Sequence, residues 1–135
     1  MSQVLVDSNV LLDVITADPL WSAWSVNALR ETAETKRLVI NPIIYAEVSI
    51  RYSRIEDVDA VLPRSHFDRE PVPFEAAFLA GKSYVAYRRR GGVKTSPLPD
   101  FFIGAHAAVS GYHLLTRDAS RYRSYFPKLP LIAPS

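Results

Sequence analysis

The alternation of short apolar segments with longer helical ones most constrains how this chain can fold. We predict strands at residues 3–6, 38–40, 67–72, 113–116 and 131–132, the third of them weakened by its proline. Most of these segments are continuously apolar and do not alternate in polarity, which is typical of parallel strands buried on both faces. The pattern therefore predicts an α/β fold with a mainly parallel sheet.

Helical segments separate the predicted strands. They fall at about residues 10–15, 19–36, 42–52, 56–63, 74–90, 100–110 and 119–125, with a loop at 93–99. A doubly wound parallel sheet places its ligand site at the carboxyl ends of the strands, where the strand order reverses. Residues that directly follow a strand are therefore the first candidates for function.

Length and composition limit the class of protein. With 135 residues, 48% of them hydrophobic, the chain can form one packed core, and we expect a single domain over residues 1–135. It has no cysteine, which excludes disulfides and thiolate metal sites. It shows no basic leader and no apolar run of the ~20 residues that span a bilayer. We expect a soluble, cytoplasmic protein.

The net charge of +2 is too small to identify a nucleic-acid-binding protein. Arg88, Arg89 and Arg90 form a basic run with Lys94 close by, and Arg117 adjoins an acidic residue. Arginine suits forked contacts with phosphate, so these five residues are candidates for binding a nucleic-acid backbone. The alternative for the run is a solvated helix end, since cations are favoured at helix C-termini.

Three aspartates lie where a strand ends or a helix begins. Asp7 directly follows the first strand, Asp118 follows the fourth, and Asp100 heads the helix at 100–110. Each could simply cap the helix that follows it. If the first and fourth strands are neighbours at the reversal of strand order, Asp7 and Asp118 open into one crevice.

Glu47 lies on the predicted helix at 42–52, with Ile43, Ile44 and Ile50 three or four positions away. It is therefore expected on or beside the buried face. An unpartnered carboxylate there costs several kcal/mol or has a raised pKa. A metal ion or a cationic partner would explain its presence; the alternative is pairing with a core arginine or a backbone donor.

Four carboxylates without a soft ligand favour Mg²⁺ or Mn²⁺ over zinc. Such an ion lowers the pKa of water and stabilises charge on a phosphate, so phosphodiester hydrolysis is the reaction that fits best. The histidines, His66, His106 and His113, show no ligand spacing, and we expect structural roles for them. The sequence contains neither a nucleophile elbow nor a phosphate-binding glycine loop.

The acids are set in four stretches whose order and spacing match a known family. The stretches are residues 4–10, 41–48, 98–107 and 114–118. Together they resemble PIN-domain ribonucleases, most closely the VapC toxins of bacterial toxin–antitoxin pairs. The tail at 125–132 resembles the closing strand of that family, whereas residues 53–75 match nothing diagnostic.

The resemblance implies that the four acids bind Mg²⁺ or Mn²⁺ and that Asn9 and Thr116 support them. It implies a PIN-like three-layer α/β/α fold, with a sheet of about five strands in the order 3-2-1-4-5, which places the first and fourth strands side by side. It also implies cleavage of RNA, such as tRNA or rRNA, and a small cognate VapB-type antitoxin that occludes the site. A homodimer, and a larger assembly with the antitoxin, are expected on the same ground.

Two other functions remain open on the residues alone. A phosphatase or receiver-like domain also has acids at strand ends, although receiver domains need a strand-end lysine that the later strands lack. A non-catalytic module could use the acids to hold a basic peptide, and its binding would not depend on divalent metal.

Overall fold

The computed structural model describes residues 2–94 and 98–135, which contain one five-stranded sheet. Its strands are β1 (Gln3–Val6), β2 (Arg37–Ile40), β3 (Asp68–Arg69), β4 (His113–Leu115) and β5 (Leu131–Ile132). Their order is β3-β2-β1-β4-β5, and every neighbouring pair is parallel. The predicted α/β fold and the strand order implied by the resemblance are confirmed.

The helices agree with the predicted segments, with small shifts at their ends. They are α1 (Ser8–Ile15), α2 (Ser22–Thr35), α3 (Pro42–Ser49), α4 (Ile55–Val61), α5 (Phe74–Arg89), α6 (Pro99–Ser110) and α7 (Ser120–Arg123). Helix α2 begins later than predicted because the Asp18 carboxylate accepts hydrogen bonds from the backbone amides of Leu20 and Trp21, which forms a turn there. Part of the predicted loop, residues 95–97, lies outside the described residues.

The central strands bury their side chains on both faces, as their apolar sequences predict. Val4, Leu5 and Val6 of β1 and the two leucines of β4 are fully buried. Val6 pairs with Leu115, and the Asp7 amide donates to the Leu115 carbonyl at 2.9 Å. The residues that follow β1 and β4 are therefore neighbours at the reversal of strand order.

Helix α6 lies against α5 and leads directly into β4. Pro99 occupies its first turn, where a missing amide hydrogen costs little, and Asp100 follows in the same turn. The helix ends at Gly111, whose φ of +71° is a left-handed conformation that glycine adopts without steric cost. No helix in the described ranges has the length and apolar composition of a membrane span.

Candidate active site

Asp7 is a buried carboxylate whose hydrogen-bond partners lie on distant parts of the chain. Its side chain forms no cap hydrogen bond with α1. Its Oδ2 instead accepts hydrogen bonds from Thr116 Oγ1 at 2.9 Å and from the Tyr122 hydroxyl at 2.8 Å. Burial raises the pKa of Asp7, and these two hydrogen bonds oppose the rise. Asp7 has the position of a helix cap, but its carboxylate accepts hydrogen bonds from Thr116 and Tyr122 instead of capping α1.

The Thr116 hydroxyl is held in one orientation. Its oxygen accepts hydrogen bonds from Asn9 Nδ2 at 3.2 Å and from the Asp118 amide at 3.1 Å. Because both are donors, the single hydroxyl proton is left for Asp7. Asn9 is itself oriented, since its Oδ1 accepts a hydrogen bond from the Arg117 amide at 3.3 Å. The two residues expected to support the site therefore connect the ends of β1 and β4.

Tyr122 links two of the acids. Its side chain is fully buried, and its hydroxyl lies 2.8 Å from Asp7 Oδ2 and 3.4 Å from Asp100 Oδ1. The hydroxyl has one proton, so the shorter contact, to Asp7, is the stronger bond. Burial and the neighbouring acids raise the pKa of Tyr122, which keeps it protonated as a donor. Sequence reasoning did not single out this residue; its only local signal is an aromatic side chain within the short helix α7.

Glu47, on α3, is half-buried and lies near enough to Asp7 and Asp100 for their charges to act on it. Its Oε1 accepts a hydrogen bond from Ser8 Oγ at 2.8 Å, a neutral partner that the sequence analysis did not identify. Burial raises the pKa of Glu47, and the charges of Asp7 and Asp100 raise it further. The prediction that Ile50 shares the buried face is wrong: α3 ends at Ser49, and Ile50 is 84% exposed.

Asp100 and Asp118 complete the group from α6 and from the segment after β4. Both are partly exposed, and Arg121 lies between them, with Nε 2.8 Å from Asp118 Oδ2 and Nη1 3.9 Å from Asp100 Oδ2. Burial raises the pKa of Asp100, and the charge of Arg121 opposes this. The other oxygen of Asp118 accepts a hydrogen bond from Ser120 Oγ at 2.8 Å. Arg121, like Tyr122, was not identified from the sequence.

The four acids present only hard oxygen donors, which suits a divalent cation such as Mg²⁺. The side-chain donors to buried Asp7 are neutral hydroxyls, so its charge lacks a hydrogen-bonded counter-ion among the described residues. Across residues 2–94 and 98–135, no three acidic or histidine side chains already stand close enough to hold an ion. The carboxylate oxygens of the four acids are nevertheless the kind of ligand that a hard divalent cation prefers.

Arg117 has a structural partner. Its Nε donates to both oxygens of Asp13, at 2.8 and 3.1 Å, and Asp13 is only 3% exposed. Ser25 donates to the same carboxylate at 2.8 Å, and the guanidinium lies over the Trp21 ring. The predicted role of Arg117 in RNA binding stays a prediction, and its contacts favour packing of the β4–α7 connection against α1.

The basic run lies at the end of α5, as the alternative interpretation expected. Arg88 Nη1 donates to the carbonyls of Gly92 and Lys94, both at 3.1 Å, and so closes the helix end. Arg90 lies over the Tyr125 ring, 4.9 Å from its centroid. Arg89 and Lys94 are exposed. The run therefore combines a helix-ending role with charges that are free to face solvent.

His106 is fully buried, and its side chain contacts Asn41 and Glu70, which are not among the four acids of the candidate site. Its Nδ1 lies 3.0 Å from Asn41 Nδ2, and its Nε2 lies 3.5 Å from Glu70 Oε1. Burial lowers the pKa of His106, although Glu70 opposes the shift. Tyr112 donates to Glu70 at 2.9 Å, and burial together with this bond raises the pKa of Tyr112 to about 12. These contacts give His106 a place in the packing of α6 against the sheet.

Comparison with known proteins agrees with this architecture. Similar structures include VapBC2 of Rickettsia felis (18% identity, TM-score 0.73, 97% of this chain and 98% of that chain). VapBC-1 of nontypeable Haemophilus influenzae is 17% identical, with a TM-score of 0.72 over 97% of each chain. VapBC of Salmonella typhimurium is 20% identical, with a TM-score of 0.69 over 98% of each chain. At these identities the likeness shows the fold.

The family of the chain follows from its sequence. No curated protein sequence matches the chain significantly. The PIN domain family matches residues 4–126, a span that includes β1 except Gln3, the strands β2 to β4 and all four acids. This chain therefore belongs to the PIN domain family.

Proposed function

We propose that this chain is a Mg²⁺- or Mn²⁺-dependent endoribonuclease, the VapC-type toxin of a toxin–antitoxin pair. One observation carries the proposal: buried Asp7 receives side-chain hydrogen bonds from neutral hydroxyls at a crevice that three further acids border. Membership of the PIN domain family supports a nuclease hydrolase. The similar structures named VapBC support a toxin with a partner protein.

The acids proposed as metal ligands and catalytic groups are Asp7, Glu47, Asp100 and Asp118. A divalent cation held there supplies Lewis acidity at the phosphate and lowers the pKa of nearby water. The chain's own hydroxyls orient the ligands: Thr116 and Tyr122 hold Asp7, and Ser8 holds Glu47. Water attacks phosphorus and the bond to the 3′ oxygen breaks. The products are a 5′-phosphate and a 3′-hydroxyl, whose proton comes from the water.

The proposed substrate is RNA, such as tRNA or rRNA, with its backbone held by basic side chains beside the crevice. Arg88, Arg89, Arg90 and Lys94 are all exposed candidates. Arg88 also closes the helix end, and Arg90 also lies over the Tyr125 ring. A cognate VapB-type antitoxin would occlude the acids. We also propose a homodimer, which sedimentation at micromolar concentration tests directly; a monomer there would exclude it.

The test of function is cleavage of a mixed tRNA and rRNA pool by purified, antitoxin-free protein with Mn²⁺ or Mg²⁺. EDTA should abolish the fragments because it removes the cation. Asp100→Asn should abolish them because it removes one of the carboxylates proposed to hold that cation. The matched control is Asp57→Asn, which removes an exposed acid of α4 and should cut normally.

Each outcome of this assay separates the hypotheses. Discrete fragments that vanish with EDTA and with Asp100→Asn support the proposal. Fragments that survive both treatments would refute a mechanism based on these acids. Binding of a basic peptide without metal, together with no cleavage of any RNA, would favour the non-catalytic binding module.

A further inference from the structure

Arg121 is the basic residue that faces the acids of the candidate site. Its Nε lies 2.8 Å from Asp118 Oδ2, and its Nη1 lies 3.9 Å from Asp100 Oδ2. Among residues 2–94 and 98–135, no other basic side chain forms an ion pair with the four acids. Its charge also acts on Asp7 and Glu47, so one guanidinium serves the whole group as counter-ion.

The side chain of Arg121 is largely exposed. It is 52% exposed, whereas the carboxylates that it approaches are 29% and 30% exposed. Arg117, by comparison, is tied by its Nε to both oxygens of the buried Asp13 carboxylate. Exposed ion pairs contribute little to folding stability, because holding two long side chains in one geometry costs entropy. The Arg121 contacts can therefore be broken without unfolding α7.

Asp118 and Asp100, which would help to hold a cation, each have an oxygen that Arg121 approaches. Each oxygen of Asp118 has a donor at 2.8 Å, Ser120 Oγ at Oδ1 and Arg121 Nε at Oδ2. Asp100 Oδ1 faces the Tyr122 hydroxyl, and its Oδ2 faces Arg121. A guanidinium and a divalent ion on the same two oxygens would repel each other. Occupancy by one therefore disfavours the other.

We propose that Arg121 is a built-in counter-ion that occupies the acid crevice in the metal-free protein and leaves Asp118 and Asp100 when a divalent cation binds. This inference rests on the proposed function, because it concerns the metal of that site. The guanidinium offsets the repulsion of four carboxylates in the apo protein. It also lowers the affinity for the cation, since its contacts must be broken first.

The first test is calorimetric titration of Mn²⁺ into the metal-free protein and its Arg121→Gln variant. Loss of the competing cation should tighten Mn²⁺ binding about three- to tenfold. The matched control is Arg123→Gln on the same short helix, because Arg123 is exposed and forms no ion pair among the described residues. Its affinity should stay within about twofold of the wild type. Equal affinities for the two variants would overturn the inference.

A second measurement follows Arg121 in the unaltered protein, and the variant is needed only to assign its signal. Arginine Nε–H signals are followed by ¹H–¹⁵N NMR during titration with Mg²⁺, and the Arg121 signal is assigned by its absence in Arg121→Gln. It should shift on saturation as the guanidinium leaves Asp118. The internal control is Arg37, whose Nε donates to Asp68 at 3.0 Å across β2 and β3 and should not respond. An Arg121 signal unchanged at saturation would overturn the inference.

The outcomes keep this inference distinct from the proposed function. Metal binding with an unmoved Arg121 refutes the counter-ion alone and leaves the nuclease proposal standing. Absence of Mn²⁺ binding by both the wild type and Arg121→Gln refutes the metal-dependent nuclease, and the counter-ion with it.

Discussion

Removal of the Tyr122 hydroxyl tests whether folding stability and metal binding depend on the hydrogen bond from Tyr122 to Asp7. In Tyr122→Phe the ring still fills its buried position, while Asp7 Oδ2 keeps only the bond from Thr116. A hydrogen bond to a charged group contributes about 1.5–3 kcal/mol, so the metal-free variant should lose about that much unfolding free energy at pH 7. Loss of such a partner behind a metal ligand also weakens metal binding, typically about 10- to 100-fold.

The measurements are urea unfolding followed by circular dichroism and calorimetric titration with Mn²⁺. Tyr125→Phe is the matched control, since the Tyr125 ring packs against Phe101 and its hydroxyl has no hydrogen bond among the described residues. The Tyr122 bond lowers the pKa of Asp7, so its contribution exists while Asp7 is ionised and should fade as the pH falls through the pKa of Asp7. Equal stability and equal Mn²⁺ affinity for the two variants would refute the role given to Tyr122.

Three further predictions concern the surrounding structure. Asp13→Ala leaves Arg117 without its buried partner and should lower the free energy of unfolding in urea by about 2–4 kcal/mol, with the lower end reflecting partial exposure of the arginine. A change below about 0.5 kcal/mol would contradict this. Burial lowers the pKa of His106, so the unfolded chain takes up the proton first as the pH falls below about 6.5, and stability should fall there. The fall in melting temperature between about pH 7.5 and 5.5 should be smaller in His106→Asn, and identical slopes would be inconsistent with the reasoning. The double variant Arg89→Ala, Lys94→Ala should bind RNA more weakly and reduce the salt slope by about 1 for each phosphate that is no longer neutralised; an unchanged affinity and slope would exclude these residues from the RNA interface.

Local sequence patterns predicted the type and order of the helices and strands, but not all of their ends. Continuous apolar runs predicted buried parallel strands, and helical spacing predicted the segments between them, because both signals depend on neighbours within a few residues. The start of α2 shifted for a local reason as well, the turn at Asp18. The strand order, in contrast, came from the resemblance to a family, since periodicity carries no information on which strands pair.

The placement of the acids was only partly predictable. Asp7 and Asp118 follow strands that proved to be neighbours, as a reversal of strand order requires. The isoleucine pattern around Glu47 was less reliable, because the buried residues of α3 are Ile44 and Val48, whereas Ile50 is exposed. The backbone at Ile50 is still helical, and its side chain lies two positions past Val48 and so points away from the buried stripe.

The sequence by itself determined an α/β chain with acids at its strand ends, whereas the tertiary structure decided what those acids contact. A helix cap and a candidate metal ligand have the same local pattern, a carboxylate between a strand and a helix. The hydroxyls that distinguish them at Asp7 come from residues 109 and 115 positions away, on Thr116 and Tyr122. Only folding brings such donors within hydrogen-bonding distance, because β4 and α7 must first pack beside β1.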